Sequence, residues 1–219
     1  MASGQKTFAN TQEVVSYEAT RYKGDQKLLD RREQAILSEL LGIVAGGRRD
    51  LHALDVPSGF GRFCAVLLQV SSRLIDADRS ESMALRASTR AKELGGKETG
   101  GVGADLTQLP FRDGQFDVVL CMRLLHHIHD AQARQRMFAE LARVTKKHVV
   151  ISFYDKNAIH QLQRTLSTIT NKKRRASRIF FYPVAQFRAE IEEAGFQLRE
   201  LRVPVRLVHA QRIALLEKK

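Results

Sequence analysis

The sequence predicts a doubly wound α/β domain on a mostly parallel sheet of about seven strands, the last antiparallel. Three observations predict it. Apolar periodicity switches repeatedly between helical and strand spacing, a Gly-x-Gly turn follows the first strand-like run directly, and two strand-like runs close the chain with no helix between them.

In chain order, Asp25 is followed by Leu28, Leu29, Ile36, Leu40 and Val44 at helical spacing until Gly46-Gly47, which predicts a helix packed on the sheet. Leu51 to Val56 reads as the first strand, Arg62 to Val70 as a helix and Arg73 to Asp78 as the second strand. A helix over Glu81 to Leu94 leads to a weak, glycine-rich third strand near Gly101 to Ala104. Phe116 to Met122 and His148 to Phe153 are strands four and five, with a helix through Met137, Leu141 and Val144 between them. Ile159 to Ile169 and Val184 to Ala194 read as helices, and Phe196 to Val205 with Ala210 to Leu216 as a closing hairpin.

With 219 residues, 43% of them hydrophobic, the chain can bury one sizeable core. No stretch approaches the roughly 18 consecutive apolar residues of a membrane span, and Met1 to Lys6 lacks the apolar core of a signal peptide; a cytoplasmic protein is expected. Cys64 and Cys121 lie in apolar patterns that suit buried, reduced thiols. The formal charge is +12, of which +9 falls between Arg143 and Arg178. Such a field concentrates anionic partners, whether phosphorylated small molecules, anionic lipid or nucleic acid, and is equally consistent with a solvated basic face.

The chemistry-bearing residues begin at Leu54-Asp-Val-Pro-Ser-Gly-Phe-Gly-Arg62. A Gly-x-Gly turn at the carboxyl end of a first strand lets backbone approach a ligand, and the next helix presents free N–H groups there. Alone it is a weak signal. Asp78, at the tip of the second strand, adds to it, because an acid about 20 residues beyond such a turn can accept hydrogen bonds from both hydroxyls of a ribose. A nucleoside ligand is the better reading. A nicotinamide dinucleotide is the runner-up, since position 64, where that fingerprint wants its third glycine, is Cys.

These residues resemble the motifs of class I S-adenosylmethionine-dependent methyltransferases, in particular the small-molecule branch that includes the ubiquinone-biosynthesis type. The first motif is Asp55-Val-Pro-Ser-Gly59-Phe-Gly61, with Pro57 where many members carry glycine. The second is Asp78-Arg79-Ser-Glu-Ser-Met83, and the third Gly103-Ala-Asp105-Leu106 followed by Leu109 to Val119. Leu124-Leu-His-His-Ile128 and Glu193-Ala-Gly-Phe196 follow in family order. The resemblance implies a seven-stranded Rossmann-like fold, S-adenosyl-L-methionine as cofactor and transferase activity. Residues 1–45 would be a helical lid or extension and residues 46–219 the methyltransferase domain. By the same resemblance Asp55, Pro57, Ser58, Gly59 and Gly61 form the cofactor turn, with Asp55 ordering it from below. Asp78, beside Arg79, would hold the ribose; Asp105 would accept the adenine amino hydrogen, and Leu106 would offer its backbone N–H to the ring. Tyr17 and Arg21, in the region where the family carries variable lids, would close over the methionine end of the cofactor. Packing of a surface helix accounts for that pair equally well.

The sulfonium carries an activated methyl group, so the protein's task is alignment and desolvation, with a general base needed only for a protonated nucleophile. His127 is the candidate base; in this family the histidine pair more often packs around the cofactor. His126, His127 and His129, within four residues at a strand end, point in different directions, and no metal is expected. Met122-Arg-Leu-Leu125 lacks the Asp/Asn-Pro-Pro-aromatic motif of enzymes that methylate exocyclic amines of bases, a Pro-Cys nucleophile is missing, and Asp155-Lys-Asn157 breaks the Asp-Asn pair of the metal-dependent catechol type. A small-molecule or lipid acceptor survives best, with an anionic one favoured by the seven cations and no acid between Lys156 and Arg178. The alternatives are a non-catalytic cofactor-binding subunit, and an RNA methyltransferase that docks nucleic acid through the basic segment, for which aromatic residues interleave poorly.

Overall fold

The computed structural model describes residues 25–155, 180–204 and 210–219. The expected helix over Ile159 to Ile169, the basic stretch from Lys156 to Arg178, and Tyr17 and Arg21 lie outside them.

Helix α1 (Asp25–Ala45) precedes β1 (Leu51–Asp55), and α2 (Cys64–Leu67) precedes β2 (Ser71–Asp78). Next come α3 (Glu81–Glu93), β3 (Glu98–Gly103), β4 (Phe116–Cys121), α4 (Ala131–Val144) and β5 (Thr145–Tyr154). Helix α5 (Val184–Glu193), β6 (Phe196–Arg202) and β7 (Gln211–Lys218) end the described chain. The seven strands form one sheet in the order β3-β2-β1-β4-β5-β7-β6. Strands β1 to β5 pair in parallel, and β7 runs antiparallel to both β5 and β6. The expected fold class is therefore the one observed. The connections run outward in both directions from β1 and β4, so the crevice between their carboxyl ends is the topological switch point where such sheets bind ligands.

Both faces of the sheet are covered, which explains why its central strands are nearly continuously apolar. Alternation along the strands sorts the core into two layers. Leu54, Val119, Cys121, Val149, Ile151 and Phe153 pack with Met137, Phe138 and Leu141 of α4 and with Phe187 and Ile191 of α5. Ala53, Leu74, Val118, Leu120 and Val150 pack with Leu37, Leu40 and Leu41 of α1 and with Cys64 and Leu67 of α2. The buried stripe of α1 thus starts later than its apolar spacing suggested, since Leu28 is exposed.

Several elements differ in length from their sequence reading. The helix expected over Arg62 to Val70 contracts to the single turn Cys64–Leu67, flanked by turns whose amides bond back three residues (Gly61 to Ser58 and Val70 to Leu67). Strand β5 gains three residues at its start and one at its end. Strand β3 begins at Glu98, and its glycines have a packing reason. A Cβ on Gly101 would lie 2.5 Å from the Ala84 carbonyl oxygen, so α3 can approach the sheet only over a strand without side chains there.

Helices α4 and α5 are joined by Arg134, which is 3% exposed. Its guanidinium donates to both carboxylate oxygens of Glu190, at 3.1 and 3.0 Å, and to the carbonyls of Ile128 and His129, at 3.3 and 2.8 Å. It also lies over the rings of Phe180 and Tyr182. Arg134→Met would strand a largely buried carboxylate and two carbonyls. We expect it to lower the unfolding free energy by about 3–5 kcal/mol, read from the denaturant midpoint at unchanged slope. A loss below about 1 kcal/mol would reduce the pair to the worth of a surface ion pair.

Candidate functional site

The turn after β1 is shaped by glycine. Gly59 and Gly61 have φ of +54° and +83°, in the left-handed region. At Gly61 even a Cβ is excluded, because it would lie 2.8 Å from Ala87 Cα and 2.9 Å from Cys64 Sγ. The small face of α3 and the thiol of Cys64 thus press the turn toward the switch point. The Ser58 N–H donates to the Ala77 carbonyl and the Val56 N–H to the Leu120 carbonyl, both at 2.9 Å, which anchors the turn to β2 and β4. Pro57 lies between these anchors.

Asp78 stands at the tip of β2 and reaches the turn. Its Oδ2 accepts the Gly59 N–H at 3.0 Å and its Oδ1 the Ser80 N–H at 2.9 Å, leaving lone-pair capacity on each oxygen. Burial raises its pKa, against the pull of those backbone donors. The Asp78 carbonyl accepts the Ala104 N–H at 2.9 Å, which carries the chain after β3 to the same edge. There Asp105 is exposed and Leu106 buried. The Thr107 N–H donates to Asp105 Oδ1 at 2.9 Å and its hydroxyl at 2.8 Å, and these bonds with the charge of Arg79 hold the carboxyl below its usual range. Oδ2 is the oxygen left for a ligand.

Asp55 lies beneath the turn at the end of β1. It is fully buried, and neither carboxylate oxygen has a hydrogen-bond partner among the described residues; the amide of Gly59 is held by Asp78 instead. Asp76, its register partner on β2, is equally buried and among the described residues accepts only the Cys64 thiol, at 3.6 Å. Burial, followed by the charges of Asp76 and Asp78, raises the Asp55 pKa well above the carboxylate range, and burial pushes Asp76 up to about 7. Asp76 stands outside every motif the sequence suggested, although its place two residues before Asp78 on one strand face was a usable signal.

The segment after β4 carries the histidines. Leu125–His127 forms a short 3₁₀ turn. His126 is buried against Tyr154, with ring centroids 4.6 Å apart, and burial with the charges of His127 and Arg123 pushes its pKa down to about 3. His127 lies more open to solvent, and partial burial of its ring, then the charge on His129, lowers its pKa as well. Its imidazole is therefore neutral at neutral pH, with a lone pair available. Among the described residues no group of three or more His, Cys, Asp or Glu side chains is arranged to hold a metal ion.

Four residues that sequence reasoning passed over also meet at this edge. Glu33 of α1 is 1% exposed and binds Arg62, Arg123 and Gln211. Sequence separations up to 178 residues hid the set.

The buried acids make a measurable claim about pH. Their native pKa values lie above those of the unfolded chain, so the native state binds more protons between the two values and its stability falls as pH rises there. For Asp76 that interval runs from the usual carboxylate value to about 7. The stability gained by Asp76→Asn in the ligand-free protein should therefore grow from roughly pH 5 to roughly pH 8, by about 1–3 kcal/mol. An equal effect at both pH values would mean that Asp76 does not titrate in this range.

Residues 54–153 match the protein family described as "Methyltransferase domain". An uncharacterized methyltransferase of Bacillus subtilis, YcgJ, is 29% identical over 100 residues, covering 46% of this chain and 38% of that protein. An uncharacterized protein of Mycobacterium tuberculosis, Rv1403c, is 31% identical over 129 residues, 59% of this chain and 46% of its own. The chain thus aligns with less than half the length of these curated relatives. Among solved structures, magnesium protoporphyrin IX methyltransferase from Synechocystis PCC 6803, with bound SAH, superposes with a TM-score of 0.77 at 20% identity, covering 96% of both chains. The N-methyltransferase NodS from Bradyrhizobium japonicum gives 0.64 at 14% identity, over 87% of this chain and 96% of that one. At these identities the likeness establishes the fold. Residues 54–153 are thus similar in sequence to a methyltransferase domain, and the whole described chain shares its fold with these solved methyltransferases.

Proposed function

We propose that the protein binds S-adenosylmethionine at the carboxyl ends of β1 and β2 and transfers its methyl group to a small-molecule acceptor. The observation that carries this reading is the pair formed by the glycine turn and Asp78. The turn offers backbone where Gly61 has no room for a side chain, and both oxygens of Asp78 keep capacity for the two hydroxyls of a ribose. These residues fit the cofactor. Asp78 would hold the ribose, Asp105 through Oδ2 the adenine amino group, and Leu106 the ring through its backbone. The buried Cys64 under the turn weighs against a dinucleotide, since the third glycine of that fingerprint lets helix and strand pack closely there.

When bound, the cofactor supplies a methyl group already activated as a sulfonium. The chain's own residues then align and desolvate. Ser58, Gly59 and Asp78 fix one end of the site, while the Leu125–His127 turn at the end of β4 flanks the place from which an acceptor attacks. His127, neutral and partly open, can take the proton of a hydroxyl nucleophile. An anionic acceptor is supported by the seven cations from Lys156 to Arg178, which follow β5 directly.

Calorimetry should find micromolar-scale binding of S-adenosylhomocysteine and none of NAD or NADP; the reverse pattern would overturn the reading. Asp78→Ala should weaken that binding by about 1.5–3 kcal/mol with little change in melting temperature, as for loss of hydrogen bonds to a charged acceptor. Unchanged affinity would remove Asp78 from the site.

With labelled S-adenosylmethionine and charge-fractionated extract from the source, label should enter an anionic component. Replacing Lys172, Lys173, Arg174 and Arg175 with Ser should reduce that labelling and its salt sensitivity at unchanged S-adenosylhomocysteine affinity. Label in a neutral or cationic component would exclude the anionic acceptor.

A further inference from the structure

Glu33 lies on α1, outside every motif of the methyltransferase domain, yet its carboxylate is shared among three strand ends. Its Oε1 accepts Gln211 Nε2 at 2.5 Å and Arg123 Nε at 3.2 Å. Its Oε2 accepts Arg62 Nη2 at 2.5 Å and Arg123 Nη2 at 2.7 Å. Arg123 is thus gripped by both oxygens in a fork geometry that fixes its plane. Asp30, one turn earlier on α1, takes the remaining side of Arg62 through its Nε at 2.5 Å.

Each partner reports on a different part of the site. Arg62 follows Gly61 directly and so belongs to the glycine turn. Gln211 opens β7 and pairs with Tyr154 at the carboxyl end of β5. Arg123 leads into the Leu125–His127 turn and is the one non-glycine residue at positive φ among the described residues, at +59°. That backbone is disfavoured for a side chain and persists only where its surroundings hold it. Here two contacts do so: the Arg123 N–H donates to Ser152 Oγ of β5 at 2.8 Å, and Glu33 holds the guanidinium.

The packing of α1 does not rest on this network alone, because Leu37, Leu40 and Leu41 are themselves fully buried against the sheet. Burial opposes the charge on Glu33, yet the guanidiniums of Arg123 and Arg62, with hydrogen bonds from Arg123 and Gln211, keep its carboxyl below the usual range. A buried, balanced ion network of this kind is weak evidence for stability, and a defined geometry is what it can secure.

We propose that Glu33 is a positioning residue of the methyl-transfer site. By holding Arg123 in its left-handed backbone while gripping Arg62, it sets the Leu125–His127 turn against the glycine turn. This rests on the methyltransferase reading for its functional meaning, but its geometry can be tested apart from it.

The experiment compares the wild-type protein with Glu33→Gln, Arg123→Met and the double variant, each shown to be folded by circular dichroism. Two readouts are taken: S-adenosylhomocysteine affinity by calorimetry, and the ring resonances of His126 and His127 by NMR. Leu37→Ala serves as a destabilised control, expected to lower the melting temperature while leaving both readouts unchanged. Glu33→Gln and Arg123→Met should each shift the histidine resonances and weaken binding by about tenfold or more, the scale of a misplacement below an ångström. The double variant should be no worse than the poorer single one, since both act through one contact. Folded Glu33→Gln with wild-type resonances and affinity, or additive losses in the double variant, would overturn the proposal. Should Glu33→Gln fail to fold, Arg123→Met decides alone, and wild-type behaviour there would overturn it equally. Absence of S-adenosylhomocysteine binding by the wild-type protein would sink the methyltransferase reading instead, while the histidine resonances would still report on positioning.

Discussion

The hydrogen bond from the Gly59 N–H to Asp78 joins the ends of two neighbouring strands, and the geometry of the candidate site follows from it. A parallel sheet covered on both faces leaves its polar groups few places to emerge, and the carboxyl edge at the switch point is one of them. Asp78 emerges there because β2 extends to it and the backbone after β3 turns back over its carbonyl. The turn can reach Asp78 only because Gly61 lets Ala87 come within contact distance, and α3 can lie so close only because Gly101 clears the strand beneath Ala84. Substituting any of these would separate the acid from the turn before it altered the core.

Much of this was legible in the sequence, for a physical reason. Strand tips, glycine turns and the residues that follow them are local, so Gly59, Gly61 and Asp78 could be placed by spacing and Asp55 and Asp105 by the family resemblance, and the structure gathers the ends of their strands along one edge. Contacts that depend on how α1 settles on the sheet were not legible. Glu33 reads as one more charge on a polar helix until Arg62, Arg123 and Gln211 arrive from three other elements. Which acid reaches the Gly59 amide was not legible either, because it depends on side-chain direction, and it is Asp78 that does so. The helix expected after Arg62 shortened to one turn because local backbone bonds there close over three residues instead of four.

The site combines two electrostatic regimes. On the side of β1 and β2, Asp55 and Asp76 sit without compensating cations and are driven toward the protonated state. On the side of α1, two guanidiniums are matched by Asp30 and Glu33, all within hydrogen-bonding distance. On the α1 side the charges therefore balance, while on the side of β1 and β2 it is the carboxylate of Asp78, held by the amides of Gly59 and Ser80, that faces the crevice.

That balance suits the proposed reaction. Moving a methyl group from a sulfonium disperses positive charge along the line of attack, and an unmatched guanidinium at the end of β4 would oppose it through a medium of low dielectric. Arg123 stands at that end, with its charge answered by Glu33 at 2.7 Å. The neighbouring histidines are kept neutral by burial, His126 most strongly, so the turn after β4 is largely uncharged. Positioning of the post-β4 turn and compensation of the charge on Arg123 thus come from one carboxylate.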